Sequence, residues 1–174
     1  YLEAKNCYAV SSGRTALYLS LEVLKHYSSK RTVIIPAYTC PTAPLAVARA
    51  GLKVKLGDIS LDTFNLDLEL LEQAIDDDTL GIIPAHMFGF PCDMKRISDM
   101  ASQKQIFVIE DAAQAAGAKF QGQRIGSYGD LSCFSLNRGK NFTTYAGGLV
   151  ATNSDKYEEI LKQIVSALEK PSSI

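Results

Sequence analysis

The sequence predicts an α/β protein in which helices cover both faces of a mostly parallel sheet. Three observations carry that reading. Short apolar runs alternate with longer stretches of helical periodicity along the chain. Runs such as Ile106, Phe107, Val108 and Ile109 are apolar at every position, as strands are when helices cover both faces. At 174 residues the chain is long enough for one good hydrophobic core, so a single domain is expected.

The elements follow in order. A helix is expected over 14–26, with Leu17, Leu21 and Leu24 on one face. Strands are expected over 33–35 and 54–56. A second helix follows Asp67, where Leu68, Leu71 and Ile75 are spaced for a buried stripe. A strand over 80–83 precedes a third helix that starts near Asp93. Strands over 106–109, 132–135 and 148–151 come next. The last helix spans 156–168, where Tyr157, Ile160, Leu161, Ile164, Val165 and Leu168 fall at helical spacing. It runs into Pro171, Ser172, Ser173 and Ile174 with no further element to cover it, which reads as part of a longer protein. No internal repeat, low-complexity tract or linker is visible.

Composition excludes several classes of function. Apolar residues make up 47% of the chain and charged residues 21%, the balance of a soluble globular protein. The formal net charge is -1 with no basic stripe, so nothing drives nucleic-acid binding. The longest apolar stretches are a few residues, far short of a membrane span. Cys7, Cys40, Cys92 and Cys133 are scattered, without a C-x-x-C pair and with only two histidines beside them. That argues against a metal site or a disulfide framework and suits a reducing cytoplasm.

In an open α/β sheet the chemistry belongs to loops that follow strand C-terminal ends. Three segments stand out. Ser11, Ser12, Gly13, Arg14 and Thr15 form a small polar turn opening into a helix. Free N–H groups, hydroxyls and a guanidinium there make a phosphate cradle, or Ser12 is simply an N-cap with nothing bound. Asp111 ends an apolar strand and is followed by the small residues Ala112 and Ala113. It is either a carboxylate that needs a cationic partner or a helix N-cap on the surface. Lys140 lies in a polar loop after a strand ending at Ser135, ahead of Gly147 and Gly148. A loop lysine is ordinarily solvated and inert unless its surroundings lower its pKa. There is no G-x-G-x-x-G after the first strand, which argues against a plain dinucleotide-binding domain.

Together and in order these motifs resemble those of the DegT/DnrJ/StrS sugar aminotransferases, pyridoxal-phosphate (PLP) enzymes of the aspartate aminotransferase fold. The stretch from Ser12 to Leu17 corresponds to their phosphate-binding S-G-T-x-A-L. Pro36, Ala37, Tyr38 and Thr39 occupy their P-x-x-T loop, and Asp58 to Asp67 follows D-x-x-x-x-T-x-N-x-D. His86 to Met94 follows H-x-F-G-x-P-x-D-M, Asp111 to Gln114 reads D-A-A-Q, and Phe134 to Lys140 follows F-S-F-x-x-x-K except at Leu136. Arg14 stands where the family usually has threonine, and Cys40 stands where an aromatic ring often stacks on PLP, with Tyr38 as a nearby candidate for that role.

The resemblance implies a three-layer α/β/α PLP-binding large domain over 1–174, without the C-terminal small domain that completes the family's active site. It implies that Lys140 forms the Schiff base and moves the proton, and that Asp111 keeps the pyridine nitrogen protonated. Gln114 would lie near the phenolic oxygen, and Ser12, Gly13, Arg14 and Ser135 would hold the phosphate. His86 is either part of the site or a structural histidine. The implied activity is amino transfer from glutamate or glutamine to a nucleotide-linked keto sugar, in a cytoplasmic homodimer. The alternatives are a sugar dehydratase, which typically replaces the Schiff-base lysine with histidine, and a non-catalytic or regulatory relative.

Overall fold

The computed structural model describes residues 2–168. Seven strands form one sheet in the order β1-β9-β8-β5-β4-β2-β3. They are β1 (Asn6–Val10), β2 (Thr32–Pro36), β3 (Lys53–Gly57), β4 (Thr79–Ile82), β5 (Phe107–Asp111), β8 (Leu131–Ser135) and β9 (Gly148–Thr152). The β2–β3, β2–β4, β4–β5 and β5–β8 pairs are parallel. Only β9 runs against its neighbours, β8 and β1. A small hairpin, β6 (Lys119–Phe120) and β7 (Gln123–Arg124), stands apart from the sheet.

Alternation along β2 shows how the layers form. Val33 and Ile35 pack into a cluster with the helices α1 (Gly13–Lys25), α2 (Thr42–Arg49) and α5 (Asp155–Ser166). Ile34, between them, points to the opposite face, into a cluster with α3 (Leu68–Ala74) and α4 (Met94–Lys104). Because successive side chains in a strand face opposite ways, a run of three apolar residues needs cover on both sides. The result is the expected three-layer α/β/α sandwich.

Every expected strand and helix is present, with ends displaced by one or two residues. Besides the β6–β7 hairpin and a 3-10 turn at Met87–Gly89, a strand and a helix of the main layers lie outside the sequence reading. β1 is a half-exposed border strand with alternating burial, and its polar Asn6 breaks any apolar run. Helix α2 is eight residues long and carries Pro44 in its first turn, a position where proline leaves the helix intact but blurs its periodicity. Strand β3 is the other border of the sheet. Its Lys53 and Lys55 keep the exposed edge from pairing with another chain.

Candidate active site

The C-terminal ends of β5 and β8 and the start of α1 surround a cavity of about 290 Å³. The seven residues to which the resemblance gives a cofactor role line it: Ser12, Gly13, Arg14, Asp111, Gln114, Ser135 and Lys140. The volume lies near the lower bound of small-molecule sites, roughly 300 Å³.

The α1 end of the cavity is built by close backbone approach. A Cβ on Gly13 would stand 3.0 Å from the Ser135 Cβ, so this glycine lets the helix start rest on the end of β8. Gly148 plays the same part from β9, where an added Cβ would lie 2.4 Å from the Ser12 carbonyl carbon. Ser12 is indeed the N-cap of α1, its Oγ accepting the Thr15 N–H at 3.1 Å. The two readings of Ser12 are therefore compatible, because it caps the helix while facing the cavity. A helix start leaves main-chain N–H groups without intrahelical acceptors and carries a partial positive charge. With two hydroxyls and the Arg14 guanidinium beside it, this end suits a phosphate.

Asp111 closes β5, and turns follow it rather than a helix, so the surface N-cap reading does not hold. Its Oδ1 accepts the Ala113 N–H at 3.1 Å. Burial pushes its carboxyl above the usual range, while that N–H and the charge of Lys140 oppose the rise. Cys133, opposite it on β8, has its thiol pushed far up by burial and by the Asp111 charge. A buried carboxylate facing a cavity is most stable with a cation against it, as a protonated ring nitrogen would be.

Lys140 sits on the loop between β8 and β9. That loop is pinned by Leu136 N–H to Gly147 O (3.0 Å), Thr144 N–H to Leu136 O (3.0 Å) and Asn141 Nδ2 to Ala116 O (2.7 Å). Among the described residues the Lys140 Nζ makes no hydrogen bond, and it reaches Asp111 only through its charge. The amine is thus available for chemistry while its backbone is held.

Three further polar residues frame the site; Glu110 and Asn65 carry no role in the sequence reading, and His86 carries two alternative ones. Glu110 is fully buried, and its carboxylate accepts four donors. Oε1 takes the N–H groups of Tyr128 (2.7 Å) and Gly129 (2.6 Å); Oε2 takes the Gly126 N–H (2.7 Å) and faces His86 Nε2 at 3.3 Å. It joins the end of β5 to the turn that leads into β8. His86 is 1% exposed, with Nδ1 accepting the Cys92 N–H at 3.0 Å. A main-chain N–H can only donate, so the proton sits on Nε2 and points at Glu110. Both readings of His86 apply, since it is a structural histidine that also lines the cavity. Asn65 is buried too, donating to the Phe90 and Pro91 carbonyls and accepting the Met87 N–H at 3.2 Å. Adjacency to Asp111 was the one available signal for Glu110, because a carboxylate inside an apolar run must find donors.

Tyr38 does not line the cavity. Its ring lies 5.5 Å from Phe64 and 6.3 Å from Phe88, in an exposed aromatic cluster at the rim. Phe64 (φ 60°) and Phe88 (φ 55°) both adopt left-handed backbone, at about 1–2 kcal/mol each. Cys40 does line the cavity, with the Thr42 hydroxyl donating to its sulfur at 3.1 Å.

The donor set fits pyridoxal phosphate at each of its polar groups. The α1 end with Ser12, Ser135 and Arg14 would take the phosphate, Asp111 the ring nitrogen, and Lys140 the aldehyde. The tight Gly13–Ser135 contact is what brings the start of α1 to the same small cavity.

The fold is that of the fold type I pyridoxal-phosphate aminotransferases. The chain belongs to the DegT/DnrJ/EryC1/StrS aminotransferase family, whose pattern matches residues 1–168. It is 38% identical to the GDP-perosamine synthase of Escherichia coli O157:H7 over 83% of this chain and 39% of that protein. The crystal structure of S. venezuelae DesV with a ketimine intermediate superposes with a TM-score of 0.90 at 33% identity, covering 99% of this chain and 46% of the other. The GDP-4-keto-6-deoxy-D-mannose 3-dehydratase of Yersinia pseudotuberculosis is 34% identical over 92% of this chain and 42% of its own length. The chain thus spans less than half the length of these relatives.

Proposed function

We propose that this chain is the cofactor-binding domain of an aminotransferase that places an amino group on a nucleotide-linked keto sugar, with glutamate or glutamine as donor. The observation that carries the reading is the convergence of Ser12, Gly13, Arg14, Asp111, Gln114, Ser135 and Lys140 on one cavity. When bound, pyridoxal phosphate supplies an aldehyde for amine exchange and a ring that accepts electrons.

The chain's own residues do the rest. Ser12, Gly13, Arg14 and Ser135 bind the phosphate and fix the ring's position. Asp111, desolvated and one-sidedly exposed to the cavity, holds a proton on the ring nitrogen by its charge. Lys140 would hold the cofactor by its aldehyde end, and its Nζ would then serve as the general base and acid that moves a proton during amine exchange. Gln114, its carbonyl already engaged by the Phe88 N–H, offers its NH₂ to the ring's phenolic oxygen. Retention of a lysine at position 140 supports transamination over dehydration. The names of the relatives support a GDP- or dTDP-linked sugar as the substrate class. We place the protein in the cytoplasm as a homodimer whose further domain completes the site.

The test is a visible spectrum of the chain with pyridoxal phosphate, then borohydride reduction and peptide mapping. The expected result is a yellow adduct trapped on Lys140 and absent from Lys140→Ala. An adduct trapped on other lysines, or undiminished in Lys140→Ala, would refute the assignment.

A further inference from the structure

The loop from His86 to Cys92 closes on a single imidazole. His86 Nδ1 accepts the Cys92 N–H at 3.0 Å, so one side chain joins the two ends of the loop. Its other nitrogen is anchored on Glu110, which fixes the ring plane. Inside the loop lies the 3-10 turn Met87–Gly89, where Phe88 is held in left-handed backbone (φ 55°) with its ring 57% exposed. A non-glycine residue keeps such a conformation only when its surroundings over-determine it. Asn65 holds the outer side of the loop through the Phe90 and Pro91 carbonyls, and His86 holds the inner side.

The strained Phe88 conformation has one polar consequence. It directs the Phe88 N–H onto Gln114 Oε1 at 3.1 Å. That contact decides which way the glutamine amide is turned, because the atom receiving a main-chain N–H must be its oxygen. The NH₂ is left on the other side, where it donates to the cavity-lining Met87 sulfur at 3.8 Å.

We propose that His86 is a positioning residue for Gln114, and that by closing the 86–92 loop it holds the Phe88 N–H on the Gln114 carbonyl and turns the amide NH₂ into the cavity. The proposal rests on the reading that Gln114 faces the cofactor. It adds the residue that makes Gln114 a donor there rather than an acceptor.

Two substitutions separate the two ring nitrogens. In His86→Asn the side-chain oxygen stands where Nδ1 stood and can accept the Cys92 N–H, while the Glu110 contact is lost. In His86→Gln the longer side chain reaches Glu110 and leaves the Cys92 N–H bare. Each variant loses one buried hydrogen bond, so a merely structural role lowers both melting temperatures alike and does not tell them apart. Two readouts do. The first is the Gln114 side-chain amide signal by NMR, in the chain without cofactor. The second is the dissociation constant for pyridoxal phosphate.

The expected result is that His86→Asn keeps the Gln114 signal and binds within about threefold of the wild type. His86→Gln displaces the signal and weakens binding about tenfold, the effect of one hydrogen bond. His86→Gln combined with Gln114→Ala then binds no worse than Gln114→Ala alone. An unchanged Gln114 signal in His86→Gln, or equal effects of the two variants, would overturn the proposal. If no variant or wild type binds pyridoxal phosphate, the proposed function falls, and the NMR comparison still decides the role of His86.

Discussion

Replacing Glu110 by glutamine changes one atom and the charge, and the structure says how much that costs. Each carboxylate oxygen accepts at least one main-chain N–H: Tyr128 and Gly129 on Oε1, Gly126 on Oε2. A glutamine amide has only one acceptor oxygen, so either orientation sets an NH₂ against a buried N–H. The milder orientation places the NH₂ at the Oε2 position, opposing the Gly126 N–H and the longer His86 contact. His86 cannot adapt by moving its proton, because Nδ1 is occupied by the Cys92 N–H. One hydrogen bond to a charged group contributes about 1.5–3 kcal/mol, and an unsatisfied buried donor costs about 1 kcal/mol more. The expected loss is therefore about 3 kcal/mol, a large part of a typical stability of about 5–15 kcal/mol. Urea denaturation followed by circular dichroism measures it. The midpoint should fall by about 1–2 M with an unchanged slope, for a slope of about 2 kcal/mol per M. A loss under about 1 kcal/mol would show that the Glu110 amide cage is not what secures the turn before β8.

Two further substitutions test the site from its ends. Asp111 has its carboxyl raised by burial, so the folded chain holds that proton more tightly than the unfolded chain does. Its contribution is full below the ordinary value of 3.8 and is lost as pH rises through the higher folded value. Asp111→Asn escapes that loss, so the cofactor-free variant should be more stable than the wild type at neutral pH. The gap should close on acidification toward pH 4, and urea midpoints that differ equally at both pH values would contradict the account. Gly148→Ala places a Cβ 2.5 Å from the Gly13 nitrogen and as close to the Ser12 carbonyl oxygen, where no side chain can yield. The expected cost is about 3 kcal/mol, with the start of α1 forced off β8 and phosphate binding lost with it. Melting curves with and without pyridoxal phosphate measure both effects, and a variant stabilised by the cofactor as strongly as the wild type would refute the coupling.

The sequence by itself determined the layered fold, because runs such as 33–35 and 106–109 are apolar at every position and only a sheet covered on both faces buries them. The resemblance of its motifs to those of the family implied which residues meet at the cavity, and those motifs fall on loops that converge at one edge of the sheet. What the sequence left undecided was conformation set by distant partners. Ser12 as cap or cradle was an open choice until Gly13 and Gly148 were seen to bring the helix start against β8 and β9. Asp111 as N-cap or cavity carboxylate was decided by the chain turning away after β5 instead of entering a helix.

Tyr38 could not be assigned either, because its neighbours Phe64 and Phe88 come from loops 26 and 50 residues further along. Glu110 carried no reading in the sequence, and His86, at the start of a motif, was open between a site residue and a structural histidine. Their roles depend on the Gly126, Tyr128, Gly129 and Cys92 amides, whose directions arise from turns no local pattern specifies. Local periodicity records which side a residue faces, whereas the partner of a buried polar atom is chosen only when separate segments of the chain are packed together.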